Sequence, residues 1–155
     1  MLSLKNQRIY SLCLNEAHKS NLLYQHGCIA TCGGKIVARG YNTDRSRYNQ
    51  NKHDIKTCTC HAEMSVLIKL NQQLSKKYKQ HKIHKIFKKI TLYISRVKCD
   101  NISYNSAPCL ECLTIIKYYH IKRIIFYLEH QYYILNPYDY ETQHQSYGKI
   151  FVDKF

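Results

Sequence analysis

Apolar residues recur at helical spacing near the start of the chain. Ile9, Leu12, Cys13 and Ala17 lie close to one face, which predicts a helix over residues 4–25. Gly27 stands where a C′ glycine would close that helix. The period then shortens. Residues 28–32 and 35–39 are short apolar runs on either side of Gly33-Gly34, the pattern of a β-hairpin with a tight turn. Gly40-Tyr41-Asn42 leads out of the second strand. Residues 43–59 are polar and aperiodic, a long loop of the kind that in a compact domain is usually functional or mobile.

Helical spacing returns at Cys60-His61-Ala62-Glu63-Met64, where Met64, Leu67, Ile68, Leu74 and Tyr78 form an apolar face. Residues 90–97 read as a strand, 101–108 as a loop and 109–119 as a short helix. In that helix Cys109, Cys112, Leu113 and Ile116 fall at i, i+3, i+4 and i+7, so both thiols share the core-facing side. Residues 123–128 are almost continuously apolar, as expected of a strand covered on both faces. Strand, helix, strand at this spacing is a βαβ unit, so its two strands should be parallel. Beyond His130 the pattern is weak, with a last strand expected only at 149–152. The expected fold is α/β, a three-layer α/β/α sandwich with a mixed central sheet. It forms a single domain over residues 1–155, with its core at about 4–128 and a C-terminal extension at 129–155.

Composition narrows the class. A chain of 155 residues, 45% hydrophobic and 22% charged, is ordinary for one globular domain. The N-terminus is broken by polar residues within a few positions, and no stretch approaches the ~18 apolar residues of a membrane span. A cytoplasmic protein without membrane partners is expected. In that setting eight cysteines favour metal binding or free thiols over a disulfide framework.

The formal charge of +14 resembles a nucleic-acid signal, but its make-up weakens it. Lys (18), Ile (17), Tyr (15) and Asn (10) are residues of A/T-rich codons, and Lys outnumbers the phosphate-gripping Arg 18 to 6. The densest basic run is Lys76, Lys77, Lys79, Lys82, Lys85, Lys88 and Lys89, with no acid between Glu63 and Asp100. It is read as a solvated helix end and connection, with a polyanion-facing patch as the alternative.

Three potential metal ligands sit at the starts of two expected helices: His61 at one, Cys109 and Cys112 at the other. A Cys-x-x-Cys at a helix N-terminus turns both sulfurs to one side, and the helix dipole favours thiolates there. One imidazole with two thiolates suits zinc, and three protein ligands leave a fourth position open, the mark of a catalytic site. Glu63, two residues after His61, points elsewhere than the ligand. It can therefore stand beside the fourth position as a proton shuttle.

Taken together, His61-Ala62-Glu63 and Pro108-Cys109-Leu110-Glu111-Cys112 resemble the signature of the cytidine and deoxycytidylate deaminase superfamily, H-x-E…P-C-x-x-C. The resemblance extends over roughly residues 27–128. It implies zinc held by His61, Cys109 and Cys112, with Glu63 as general acid/base. It also implies that Asn42 contacts the sugar or base and that the Ala62 backbone N–H contacts the base carbonyl; for Asn42 the competing reading is a turn cap. A homo-oligomer is expected.

The substrate expected is a small nucleotide, a cytosine nucleotide of the deoxycytidylate kind. The alternatives are tRNA adenosine or polynucleotide cytidine, and a catalytically silent zinc- or nucleic-acid-binding module. Residues 105–107 depart from the usual Ser or Glu before Pro-Cys. Cys58 and Cys60 are not required by the pattern and are read as core thiols, a redox pair or incidental.

Overall fold

A computed structural model of the chain describes residues 1–44, 60–98 and 103–145. In order it has α1 (Leu4–Ala17), β1 (Gln25–Cys32), β2 (Lys35–Tyr41), α2 (Ala62–Ser75), α3 (Gln80–Phe87), β3 (Ile90–Val97), α4 (Leu110–Tyr118), β4 (Arg123–Leu128) and β5 (Gln131–Leu135), then a 3-10 turn at Pro137–Asp139. The strands form one sheet in the order β2-β1-β3-β4-β5. β1 is antiparallel to both β2 and β3, β3 and β4 are parallel, and β5 returns antiparallel to β4. This is the expected mixed sheet. The possible strand at 149–152 and nearly all of the long polar stretch lie outside the described residues.

Alternation across the strands builds two cores. Cys28 and Ala30 of β1, Ile90, Leu92 and Ile94 of β3, and Ile124 and Phe126 of β4 face α2, α3 and α4. Ile29, Tyr93 and Ile125, one residue out of phase, pack with Ile9, Tyr10 and Cys13 of α1. The near-continuous apolar strands thus reflect burial on both sides. On α2 the buried face includes Val66 and Leu70 with Met64 and Leu67, while Tyr78 falls beyond the helix and is exposed.

Two expectations near the N-terminus need correction. α1 ends at Ala17 rather than at residue 25, and Gly27 lies inside β1, paired with Ser95 and Tyr41, instead of capping a helix. Residues 18–24 have no apolar stripe to keep them helical. Tertiary bonds take over: Ser20 Oγ donates to Asn42 O (2.8 Å), and Gln25 Nε2 donates to Ser20 O (2.7 Å). The role of Gly27 is close approach. A Cβ there would run into Cys13 O, and would lie 2.7 Å from Ala17 N and 2.9 Å from Ser95 Oγ. The Gly33-Gly34 turn is as expected, with φ of 59° and 83°, the two positive values a primed hairpin turn requires.

Gly27→Ala should therefore lower stability by about 1–3 kcal/mol, because backbone of α1 blocks the methyl and must move. Gly33→Ala, with nothing within 4 Å but φ of 59°, should cost only about 1 kcal/mol. Urea midpoints of the two variants provide the check. Equal midpoints would show that α1 is not seated on β1 as described.

Candidate active site

The topology brings certain chain ends together. β2 and β3 are each antiparallel to β1, so they run the same way, and their carboxyl ends share one end of the sheet. α2 is the first helix after β2, and α4 follows β3, so both helices start near that end. Ligand sites of open α/β sheets form at such carboxyl ends. The residue after β2 is tied to the residue before His61: Thr43 N donates to Cys60 O (2.9 Å) and Cys60 N donates to Thr43 O (2.7 Å).

His61 is the N-cap of α2 and Cys109 the N-cap of α4, both with extended backbone and neither making a side-chain cap bond. Ser, Thr, Asp or Asn would normally stand at these positions and stabilise the helix by about 1 kcal/mol. Here both side chains turn toward one another. His61 Nδ1 lies 3.2 Å from Cys112 Sγ and 3.5 Å from Cys109 Sγ. The three potential ligand atoms lie within 4.8 Å of one another. A tetrahedral zinc at ~2.3 Å from sulfur and ~2.0 Å from nitrogen separates such atoms by roughly 3.5 Å. The cluster fits a zinc site, by both donor chemistry and spacing.

Its electrostatics agree. The Cys109 thiol is held well below the ordinary range by a hydrogen bond from Cys112 and by His61, while sharing that proton pushes Cys112 up. Burial alone would lower His61, but its hydrogen bond with Cys109 and the charge there raise it. Three donors thus compete for protons in a space that one divalent cation would satisfy.

Glu63 is 5% exposed, in the first turn of α2. Burial, reinforced by negative charge at Cys109, pushes its carboxyl up to about 7. It is not among the clustered ligands. Ala62, fully buried, opens the same turn, where helix geometry leaves its N–H without an intrahelical acceptor. Asn42 lies at this end too, with its amide engaged by backbone: Oδ1 accepts from His26 N (2.8 Å) and Nδ2 donates to Tyr24 O (2.6 Å). Cys60 packs in the larger core, and Cys13, Cys28, Cys32, Cys109 and Cys112 are free thiols. Cys58 lies outside the described residues.

Several neighbours of the cluster carry no short-range signal. His26 and Arg96 are register partners across β1 and β3, on the sheet face of Cys28 and Ile94 and at the same end. Arg96 Nε is buried without a hydrogen-bond partner among the described residues, and its guanidinium lies 4.9 Å from the centre of the Tyr24 ring. Burial, with the charges of Arg96 and His61, lowers His26 to about 4, so its imidazole is neutral at pH 7. His144 O accepts from Leu110 N (2.8 Å), bringing the C-terminal segment onto the start of α4. Glu111, between the two cysteines in sequence, is buried, with Oε2 unpartnered among the described residues.

Ser106 secures the approach to Cys109. Its N–H donates to Tyr127 O (2.8 Å) and its Oγ to Ile94 O (2.7 Å), while Tyr127 N donates to Oγ (3.0 Å). Tyr10 Oη lies 3.2 Å away. One buried side chain therefore joins α1, β3 and β4 two residues before Pro108. Within residues 105–107 Ser106 is thus a structural anchor, while Ala107, directly before Pro-Cys, has no polar side chain.

The sequence profile of the cytidine and deoxycytidylate deaminase zinc-binding region matches residues 4–128. The chain belongs to this family. No curated protein sequence matches it. The deaminase fold is shared with solved structures at low identity. Cytidine deaminase from Burkholderia pseudomallei is 12% identical, with 89% of this chain and 95% of that one covered and a TM-score of 0.58. The dCMP deaminase of cyanophage S-TIM5, solved with dCMP and dUMP, is 19% identical over 80% and 82%, with a TM-score of 0.52. Cytidine deaminase from Mycobacterium tuberculosis is 14% identical over 88% and 94%, at 0.53. At these identities the likeness is one of fold. Family and fold together support a zinc-type deaminase, and no described helix is long and apolar enough to cross a membrane.

As a zinc-type deaminase the protein should carry one zinc per chain when purified without chelator. Cys109→Ser should retain less than about a tenth of it. Elemental analysis beside the wild type decides this, and a variant with full zinc content would remove Cys109 from the ligand set.

Proposed function

We propose that the protein hydrolytically deaminates a cytosine mononucleotide of the deoxycytidylate kind, giving the uracil nucleotide and ammonia. His61, Cys109 and Cys112 hold the zinc. The observation that carries the reading is a buried carboxylate, Glu63, in the same helical turn as one member of a His-Cys-Cys cluster and not itself part of that cluster. When bound, zinc supplies a water whose pKa is lowered toward 7. Glu63 accepts a proton from the attacking water and delivers it to N3 of the base as the new bond forms at C4. It then moves the remaining proton of the hydroxyl added at C4 to the amino group, which leaves as ammonia as the C4–N bond breaks and C4 becomes a carbonyl. The N–H of Ala62 is placed to bind the base carbonyl. Asn42, with Oδ1 and one Nδ2 proton committed to backbone, keeps its second Nδ2 proton for a substrate hydroxyl.

The phosphate preference rests on Arg96. A buried guanidinium nitrogen without an acceptor is costly unless something else supplies one, and Arg96 sits at the sheet end where the cluster lies. A phosphate offers acceptor geometry suited to a guanidinium. The dCMP deaminase of cyanophage S-TIM5, which shares the fold, was solved with dCMP and dUMP, and this supports a nucleotide as substrate class. Arg45, Arg47, Lys52 and His53, between Asn42 and His61 in the chain, lie outside the described residues.

Glu63→Gln should keep the fold and the zinc but lower turnover by at least about 10²–10⁴-fold, the usual contribution of a positioned acid/base. Steady-state ammonia release with a zinc assay on the same sample measures both. Wild-type turnover would move the proton shuttle to another residue.

Deoxycytidylate should exceed deoxycytidine in kcat/KM by about tenfold or more, and Arg96→Gln should erase most of that preference through KM. Equal losses on the two substrates would make Arg96 a structural residue. Reaction with an oligonucleotide alone would overturn the mononucleotide reading while leaving the zinc chemistry in place.

A further inference from the structure

The lysine-rich stretch has no part in the chemistry above, and the fold gives it a definite place. α3 packs beside α2, and with the far end of α4 and the 3-10 turn it encloses a cleft of about 490 Å³. That volume lies within the range of small-ligand sites, roughly 300–1,000 Å³. Gln80, Ile83, His84 and Phe87, at i, i+3, i+4 and i+7, give the cleft one face of α3. Lys117, Tyr118, His120 and Tyr138 line the opposite side. Cys109 and Cys112 are at the other end of α4, and nine helical residues span about 13 Å, so this cleft is separate from the zinc site.

Its lining is aromatic and basic. Phe87 and Tyr119 stack at 4.7 Å, and the His84 and His120 rings meet edge to face at 5.1 Å. Tyr118 and Tyr138 remain 58% and 52% exposed, leaving ring surface open at the mouth. Lys117 lines the cleft directly, and Lys82, Lys85 and Lys88 are exposed on and just after α3. Asp139 and Glu141, the acids nearest Tyr138 in the chain, stand against seven lysines between residues 76 and 89.

His120 is the informative residue. α4 ends in a Schellman motif: His120 N donates to Lys117 O (3.0 Å) and Ile121 N to Ile116 O (3.3 Å). His120 occupies the C′ position at φ 56°, where glycine is the usual residue. The chain instead holds an imidazole there in a fixed orientation. Tyr138 Oη donates to Lys117 O (2.7 Å) and lies 2.8 Å from His120 Nδ1. The hydroxyl has one proton and gives it to the carbonyl, so Nδ1–H donates to the hydroxyl, and Nε2 takes no part in that bond. Exposed aromatic rings, an oriented imidazole and the Lys117 ammonium match a planar heterocycle carrying a phosphate.

We propose that this cleft is a second binding site, for a nucleotide unit: the base lies at the mouth against the exposed ring of Tyr118, beside His120, and the phosphate meets Lys117. The unit can be free or part of a single strand, and the two sources separate experimentally. The probes are a fluorescent ten-residue oligothymidylate and thymidine 5′-monophosphate, whose base has no amino group to lose, added to the zinc-loaded full chain. Tyr118→Ala and His120→Gly should each weaken binding about tenfold, the scale of one lost base-stacking contact. Because glycine suits the C′ position, His120→Gly should keep its zinc and its melting temperature.

Anisotropy with the oligonucleotide, competed by the monophosphate, gives the affinities. A strand ligand shows a steep linear fall of log K with log salt and poor competition by the monophosphate. A free-nucleotide ligand shows effective competition and a shallow salt slope. Either pattern, if lost in the two variants, supports the site. Binding that is unchanged in both variants, or that responds only to replacing Lys82 and Lys85, would be diffuse electrostatic attraction and would overturn the proposal, as would no binding of either probe.

Discussion

The structure depends on one requirement: donor atoms from residues 48 and 51 positions apart in the chain must meet within 5 Å of one another. Without a cation they have little reason to do so, since two thiols and an imidazole mostly compete for protons. The sheet makes the meeting unavoidable. Because β1 lies between β2 and β3 and runs against both, the chain leaves β2 and β3 at the same end, and the helices that follow begin there. Of the three candidate ligands, His61 and Cys109 occupy the two N-caps and Cys112 lies in the first turn of α4, where the helix dipole favours negative charge. Each helix forgoes its side-chain cap, and α4 replaces part of it with a bond from Leu110 N to His144 O.

Rigidity around that meeting comes from buried polar groups satisfied across layers. Ser106 bonds to β3 and β4 and sits against Tyr10 of α1, so the segment entering Cys109 is fixed before α4 begins. Ser95 Oγ donates to Cys13 O (2.8 Å), and Cys13 Sγ lies 3.2 Å from Tyr93 O, which keeps α1 tight on the sheet over Gly27. Such contacts matter doubly in a low-dielectric interior. Each is stronger there than in water, and removing one partner strands the other. A zinc site held to a few tenths of an ångström needs this kind of support, because loosely packed apolar contacts alone tolerate sliding.

How much of this was legible in the sequence follows from the range of each interaction. β3, β4, the first hairpin and the buried sides of α2 and α4 have a clear apolar period, and the two motifs place the ligands at helix starts. All are local signals. β5 was not legible, because its turn is Glu129-His130, with φ of 49° and 68° at two residues that do not advertise a hairpin. The early end of α1 was missed for a related reason: residues 18–24 are pulled out of the helix by bonds to Asn42 and Ser20, partners chosen by the tertiary fold. Gly27 resembles a cap in sequence because a glycine needed for close packing reads the same as one needed for positive φ. His26, Arg96 and Glu111 reach the cluster's surroundings through strand register and helix phase, which no short motif encodes.

The basic composition can be weighed again with the fold in hand. A/T-rich coding accounts for many lysines, but it does not dictate where they fall or what lies between them. Among the described residues the longest acid-free run becomes α3 and its flanks, and α3 turns toward the cleft not lysines but Gln80, Ile83, His84 and Phe87. A purely solvated helix needs no such face. The helix is therefore amphipathic in a specific sense, with its buried side completing a core and its rim meeting the aromatic end of α4. Composition alone does not account for the left-handed His120 and its bond to Tyr138. The two ends of α4 thus differ in kind: one gathers soft donors for a metal, and the other gathers rings and cations.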